Sequence, residues 1–202
     1  MPPFEVFSIG HSNVTADRFI ALLRSAEVNA IADVRSTPFS RFCPWFSAKN
    51  LASRLHAEHI LYLPYGDTLG GRPRDLGLYK DGVVDYEAMA QRREFQSGIE
   101  RVIQEATRAR VCLMCAEREP LDCHRCLLLA RVLAERGLVI GHILRDGTIE
   151  PHAATEERLL ADSGGGCDLF VAGQKERLAA AYRRRARAVA FRSKASAKGA
   201  IP

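Results

Sequence analysis

Two short segments hold the most reactive combination of side chains in this sequence: Cys115-Ala116-Glu117 and Cys123-His124-Arg125. A cysteine at the first position of a helix faces unpaired N–H groups and the positive end of the helix dipole, both of which favour the thiolate. With Asp122 as the cap, Cys123 takes that position, Arg125 adds a permanent cation and His124 carries protons near neutral pH. The pattern describes an anion-binding helix start bearing an acid–base or nucleophilic group. Its plainer alternative is a buried cysteine beside two surface basic residues. Cys115 ends an apolar run, and Glu117 lies just beyond it, where a carboxylate can serve as base, nucleophile or ribose ligand. Taken alone, Glu117 would read as a solvated loop residue; Arg118 and Arg125 nearby favour a site.

Cys112, Cys115, Cys123 and Cys126 spell two C-x-x-C pairs seven residues apart, which suggests a tetrathiolate zinc site. Geometry opposes it. Cys112 and Cys115 fall in one strand, where residues three apart face opposite sides, and Cys123 and Cys126 fall in a helix. No metal ligand is assigned. Cys112 and Arg118 also match the C-x5-R spelling of cysteine phosphatases, but Cys112 lies mid-strand and the following loop has no glycine.

Further polar groups follow other strands. Asp33 closes an apolar run and needs a partner, for which Arg35 and Arg41 are the candidates; either arginine also suits a phosphate or carboxylate. Gly10-His11-Ser12-Asn13 offers a tight turn with His11 as a proton carrier and Ser12 and Asn13 as substrate contacts. Leu69-Gly70-Gly71-Arg72 is a similar loop, with Gly70 and Gly71 expected to approach the ligand. Tyr62, Tyr65 and Tyr79 suit stacking on a base or packing in the core. There is no dinucleotide fingerprint and no Walker sequence.

The elements that position these groups are legible in the apolar pattern. Strands are expected at 4–9, 30–34, 60–63, 111–115 and 139–143. Helices are expected after Thr15, Ser47 and Asp85, from Asp122 to Arg136 with Gly137 as the stop, at 155–162 and at 174–189. Alternating strands and helices predict an α/β chain with a mostly parallel sheet flanked by helices. Ligands of such sheets sit beyond the carboxyl ends of the strands, where the polar residues above lie.

Ser8-Ile9-Gly10-His11-Ser12-Asn13, Asp33-Val34-Arg35-Ser36 with Pro38, Ser40 and Arg41, Leu69-Gly70-Gly71, and Leu113-Met114-Cys115-Ala116-Glu117 with Pro120, Cys123, His124 and Arg125 occur in one order. Together they resemble the family called domain of unknown function 488, over roughly residues 4 to 145, with His142 also fitting. The resemblance implies a Rossmann-like three-layer α/β fold but no settled activity. Its pattern contains Cys115 and Cys123 but not reliably Cys112 or Cys126, which further weakens the four-cysteine reading.

Bulk properties set the frame. Hydrophobic content of 47% and charged content of 26% are ordinary for a globular chain. The net charge of +5 is uneven: residues 170–202 carry nine basic residues and one acid, and residues 1–169 are net negative. One α/β domain over 1–169 with a basic helix and tail over 170–202 is the expected organisation. The tail's Gly164-Gly165-Gly166 approach reads as flexible, and Ser193 onward as frayed. No export signal or membrane span is recognisable, so a cytoplasmic protein with reduced thiols is expected. The expected ligand is an anionic small molecule or nucleic acid, and no cofactor is identifiable.

Three functions are compatible with this inventory. The first is a hydrolase or group transferase for a phosphorylated, nucleotide-like or nucleic-acid substrate. There Arg35, Arg41 and Arg125 hold the anion, Glu117 or Cys115 acts as base or nucleophile, and His124 or His11 carries protons. The second is a nucleic-acid-binding or adaptor protein that uses the basic tail. The third is metal, haem or thiol redox chemistry at Cys115, Cys123 and His124.

Overall fold

A computed structural model describes residues 4–163 and 173–193. The Gly164–Gly166 break and the tail beyond Ser193 lie outside the described residues. In chain order the elements are β1 (Val6–Gly10), α1 (Ala16–Ser25), β2 (Ala30–Asp33), α2 (Ala48–Ala57), β3 (Leu61–Pro64) and α3 (Gly66–Leu69). There follow β4 (Tyr79–Lys80), β5 (Val83–Val84), α4 (Tyr86–Ala90), α5 (Arg93–Ala106) and β6 (Val111–Cys115). A π-helical stretch, Arg125–Ala130, then runs into α6 (Arg131–Glu135), before β7 (Ile140–Ile143), β8 (Ile149–Pro151), α7 (His152–Asp162) and α8 (Gln174–Val189).

Five strands form a parallel sheet in the order β3-β2-β6-β1-β7, and β8 adds an antiparallel edge beside β7. Side chains alternate across it as a pleat requires. Phe7, Ile9, Ile31, Cys112 and Met114 face Phe19, Leu23, Leu51 and Leu55 of α1 and α2. Val6, Ala32, Val111, Leu113 and Cys115 face the other layer, with Ile99 and Val102 of α5 and Leu129 and Leu133 of the π-helix and α6. This is the three-layer α/β fold expected from the sequence. Both faces of the sheet are covered, so its central strands are apolar except for Ser8 in β1 and Asp33 at the end of β2.

The strand order determines where a site can lie. The connections after β1 and β2 pass over the α1–α2 face, whereas the chain after β6 passes over the opposite face. β6 lies between β1 and β2. Its carboxyl end is therefore flanked on both sides by loops that diverge from its own, which leaves a crevice there.

The helix starts obey local chemistry where a short polar side chain is free to cap. Thr15 accepts a hydrogen bond from Arg18 N, and Asp85 accepts from Glu87 N and Ala88 N. Ser47 makes no such bond at α2, because its hydroxyl accepts from Ser40 N instead.

α8 packs through Ala181 and Tyr182, each 2% exposed. Its arginines are largely paired with the domain: Arg183 with Glu87, Arg185 with Asp122 and Arg187 with Asp81. A chain of buried hydrogen bonds also joins the helix to the sheet. Tyr182 Oη donates to the Glu156 carboxylate (2.8 Å), so it must accept from His152 Nε2 (3.1 Å). His152 Nδ1 then accepts from His142 Nε2 (2.9 Å), and His142 Nδ1 from the Ser8 hydroxyl (2.7 Å). Every proton position in the chain follows from the first. Beyond α8, Phe191 O accepts from Val84 N, Arg192 bridges to Val83 and Ser193 N donates to Gly82 O, so this segment runs along the β4–β5 hairpin. Among the described residues, no helix is long and apolar enough to cross a membrane.

Candidate functional site

Above the carboxyl ends of β1, β2 and β6 opens a cleft of about 400 Å³. Its floor is the four-residue group Cys115, Glu117, Cys123 and His124, and its walls include His11, Arg35, Ser36, Phe39, Gly71, Arg72, Tyr86 and Phe191. The two segments singled out by sequence thus meet in one place.

Cys115 arrives at the end of β6, and its thiol donates to Glu117 Oε2 at 2.8 Å. The Cys123 thiol donates to the same oxygen at 3.1 Å. His124 Nδ1 lies 3.8 Å from each sulfur. His124 Nε2 is 3.0 Å from the carbonyl of Val34, which can only accept, so the proton of the neutral ring is on Nε2 and Nδ1 faces the sulfurs with its lone pair. Gly71 backs the ring: a Cβ there would come within 2.7 Å of His124 Cγ.

The helix start differs from the sequence expectation. Asp122 does not cap it; Pro120–Asp122 form a 3-10 turn opened by Glu119, whose side chain accepts from Leu121 N. Cys123 is extended (φ −138°, ψ 140°) and takes the capping role itself. Its carbonyl accepts from Cys126 N and Leu127 N at 3.0 Å each, and its sulfur accepts from Arg125 N at 3.4 Å. The sulfur therefore still faces the helix amides, one position earlier than expected.

Arg125 is corrected more strongly. It is fully buried, with Nη1 donating to Glu117 O (2.7 Å) and Nη2 to Arg118 O (3.0 Å). The guanidinium clamps the loop between β6 and the helix from below and presents nothing to the cleft. Gly10 permits this, since a Cβ at that position would lie 1.8 Å from Glu117 O.

Of the two thiols, Cys123 is the one whose ionisation is eased, and as a thiolate it gives up the hydrogen bond that its thiol form donates to Glu117. Burial opposes ionisation of Cys123, but the Cys115 thiol beside it, the charge of Arg125 and the His124 imidazole outweigh it, so its thiol lies well below the ordinary range. Cys115 is pushed the other way by the Cys123 sulfur beside it, by burial and by the Glu117 carboxylate. Burial opposes charge on His124 as well, yet the Cys123 sulfur raises it above the usual imidazole value.

The second wall is an ion pair. Asp33 at the end of β2 is bound by Arg35 through Nε (2.8 Å) and Nη2 (2.6 Å), and Tyr62 Oη donates to it at 2.7 Å. Arg35 is the partner expected for Asp33, and it also reaches the cleft. His11 Nδ1 donates to Ser12 O (2.9 Å), so Nε2 accepts from Arg35 Nη1 (3.1 Å). Burial and the charge of Arg35 push His11 down to about 4, which keeps it neutral. Its ring stacks on Phe46.

The remaining expected residues lie apart. Ser12, at φ 45°, turns away with Asn13, whose Oδ1 accepts from Arg145. Gly70 packs on Ser36 outside the cleft, and Arg41 is exposed without reaching it. Arg72, Ser36, Phe39 and Phe191 line the cleft without having been expected there. Arg72 could have been read from its place after Gly70-Gly71. Phe191 had no local signal. Cys112 is buried on the far face of the sheet and Cys126 is fully buried in the core, so the four cysteines do not converge.

Among known protein families, the model described as "Domain of unknown function DUF488" matches residues 15–132. That span holds Asp33, Arg35, Gly71, Cys115, Glu117, Cys123 and His124, and leaves out His11 and His142. Comparison with curated proteins and with solved structures finds no match.

Proposed function

Because the chain belongs to the DUF488 family, a domain without an assigned activity, we propose its function from the cleft alone: an enzyme that hydrolyses or transfers a group on a phosphorylated, nucleotide-like substrate. The observation that carries this reading is the contact of two sulfurs, a carboxylate and an imidazole at the floor of an open cleft, with separations of 2.8–3.8 Å. Nucleophile and proton acceptor in direct contact are what displacement at an electrophilic centre requires. Arg35 and Arg72 supply cationic groups on the walls, and the 70% exposed Phe39 with Phe191 supplies apolar faces for a planar body.

The second wall tunes this binding. Arg35 is held rigid by Asp33 and His11, so it meets an anion with little loss of side-chain freedom. The nucleic-acid-adaptor reading loses support from the pairing of Arg183, Arg185 and Arg187 with acids of the domain.

The test is a screen of phosphomonoesters, nucleotides and nucleoside conjugates for turnover. Glu117→Gln and Cys123→Ser should each lower kcat/KM by at least about 100-fold on any substrate found. Full activity of both variants on every substrate turned over would remove the cleft as the reacting centre.

A further inference from the structure

We infer that Cys115, Cys123, His124 and Glu117 form a binding site for one borderline-soft divalent metal ion, zinc in the first instance. The four contribute two Sγ, one Nδ1 and one carboxylate oxygen, all within 4.8 Å of one another. Thiolate, imidazole and carboxylate are the ligand types zinc takes, and four of them complete a tetrahedron.

The spacing fits before any ion enters. Tetrahedral bonds of the usual zinc lengths set sulfur and nitrogen ligands about 3.5–3.8 Å apart. His124 Nδ1 is 3.8 Å from both Cys115 Sγ and Cys123 Sγ. The Glu117 oxygen, now a hydrogen-bond acceptor at 2.8 and 3.1 Å from the sulfurs, needs to withdraw by less than about 1 Å to reach the same spacing.

The outer groups point the same way. A ligating histidine ordinarily donates its other ring N–H to a carbonyl or carboxylate, which aims the free nitrogen at the metal. His124 Nε2 does this with Val34 O at 3.0 Å. Arg125 N donates to Cys123 Sγ, and Gly71 holds the imidazole plane from behind. All four ligands line the cleft, so an entry path exists. Cys112, fully buried across the sheet, and Cys126, fully buried in the core, belong to no such group with them.

This deepens the enzymatic reading of the same cleft, since an ion there polarises a substrate oxygen or activates water, with Glu117 as the displaceable fourth ligand. Binding itself is measured without turnover, so the two readings fail separately. Reduced full-length protein is stripped with chelator and titrated with Co²⁺, then with Zn²⁺. One equivalent should bind, with thiolate-to-cobalt charge-transfer absorption and the visible bands of tetrahedral cobalt, both abolished by zinc. Cys115→Ser, Cys123→Ser and His124→Ala should each weaken binding by at least 10-fold, while Cys112→Ser retains it. A readout that needs no variant is alkylation of the wild-type chain followed by peptide mass spectrometry: zinc should protect Cys115 and Cys123 but leave the labelling of Cys43 unchanged. Absence of the cobalt spectrum, binding that Cys115→Ser and Cys123→Ser leave intact, or equal labelling of Cys115 and Cys123 with and without zinc would each overturn the proposal.

Discussion

Gly71 lies flat against the imidazole of His124: a methyl group at residue 71 would sit 2.7 Å from Cγ and 2.8 Å from Nδ1. Real Cβ contacts are not that short, so one of the two must move. Gly71→Ala is expected to rotate His124 off Val34 O and lower activity by about 10- to 100-fold, the cost of a displaced reacting group. The unfolding midpoint should change far less, because the new methyl group meets one side chain rather than backbone. Unaltered kinetics would mean that the ring position is unimportant.

Stability should fall on acidification because the relay from Ser8 to Glu156 needs neutral histidines. Burial pushes His152 down to about 4, while Glu150 beside it pulls upward; His142 is lowered well below its usual value by burial, His152, Arg125 and Arg158. The unfolded chain binds these protons at its ordinary value of 6.5 and the folded chain does not. Stability is therefore full above about pH 6.5 and is lost as pH falls toward 4, by about 3 kcal/mol for His152 alone. Urea unfolding at pH 7 and pH 5 measures it; equal midpoints would contradict the neutral relay.

Arg125 carries a structural load. Replacing it with Met removes the buried guanidinium donors of Glu117 O and Arg118 O beneath a partly exposed loop, at a cost of about 1–3 kcal/mol. Lysine should not rescue it, since one ammonium cannot reproduce the guanidinium fork. Denaturant unfolding of Arg125→Met and Arg125→Lys checks this, and a fully stable Arg125→Lys would show that charge alone suffices.

Tyr182→Phe keeps the ring in the core and removes only the hydroxyl between His152 and Glu156. The loss should be about 1–3 kcal/mol, from a buried N–H and a carboxylate left unmatched. Combining it with Glu156→Gln should cost clearly less than the sum of the two single changes. Thermal unfolding of the three variants reads this, and simple additivity would mean the two groups act independently.

The parallel strands were readable because each is a short apolar run with its polar residues at the carboxyl end, as with Asp33 and Glu117. The Asp33–Arg35 pair followed from the cost of burying one carboxylate, and the split of Cys112 from Cys115 followed from strand alternation. The start of the helix after Cys123 was not readable: Glu119 captures the preceding residues into a 3-10 turn, and nothing local distinguishes its side chain from that of Asp122. The π-helical turn from Arg125 to Ala130 is equally silent, because the same residues suit an α-helix. Whether Arg125 faces substrate or core depends on where the carbonyls of Glu117 and Arg118 come to rest. The pairing of the α8 arginines with Asp81, Glu87 and Asp122 joins residues 63 to 106 positions apart, beyond any local pattern.

The chain following α8 returns alongside the β4–β5 hairpin and leaves Phe191 at the cleft, with Arg72 over its ring. This stretch lies past residue 132, where the family match stops. The reacting floor thus lies inside the stretch matched by the family, and the aromatic partition that faces it lies outside. A graft that kept residues 15–132 and exchanged the stretch around Phe191 would hold the bond-breaking groups fixed and change which molecules reach them.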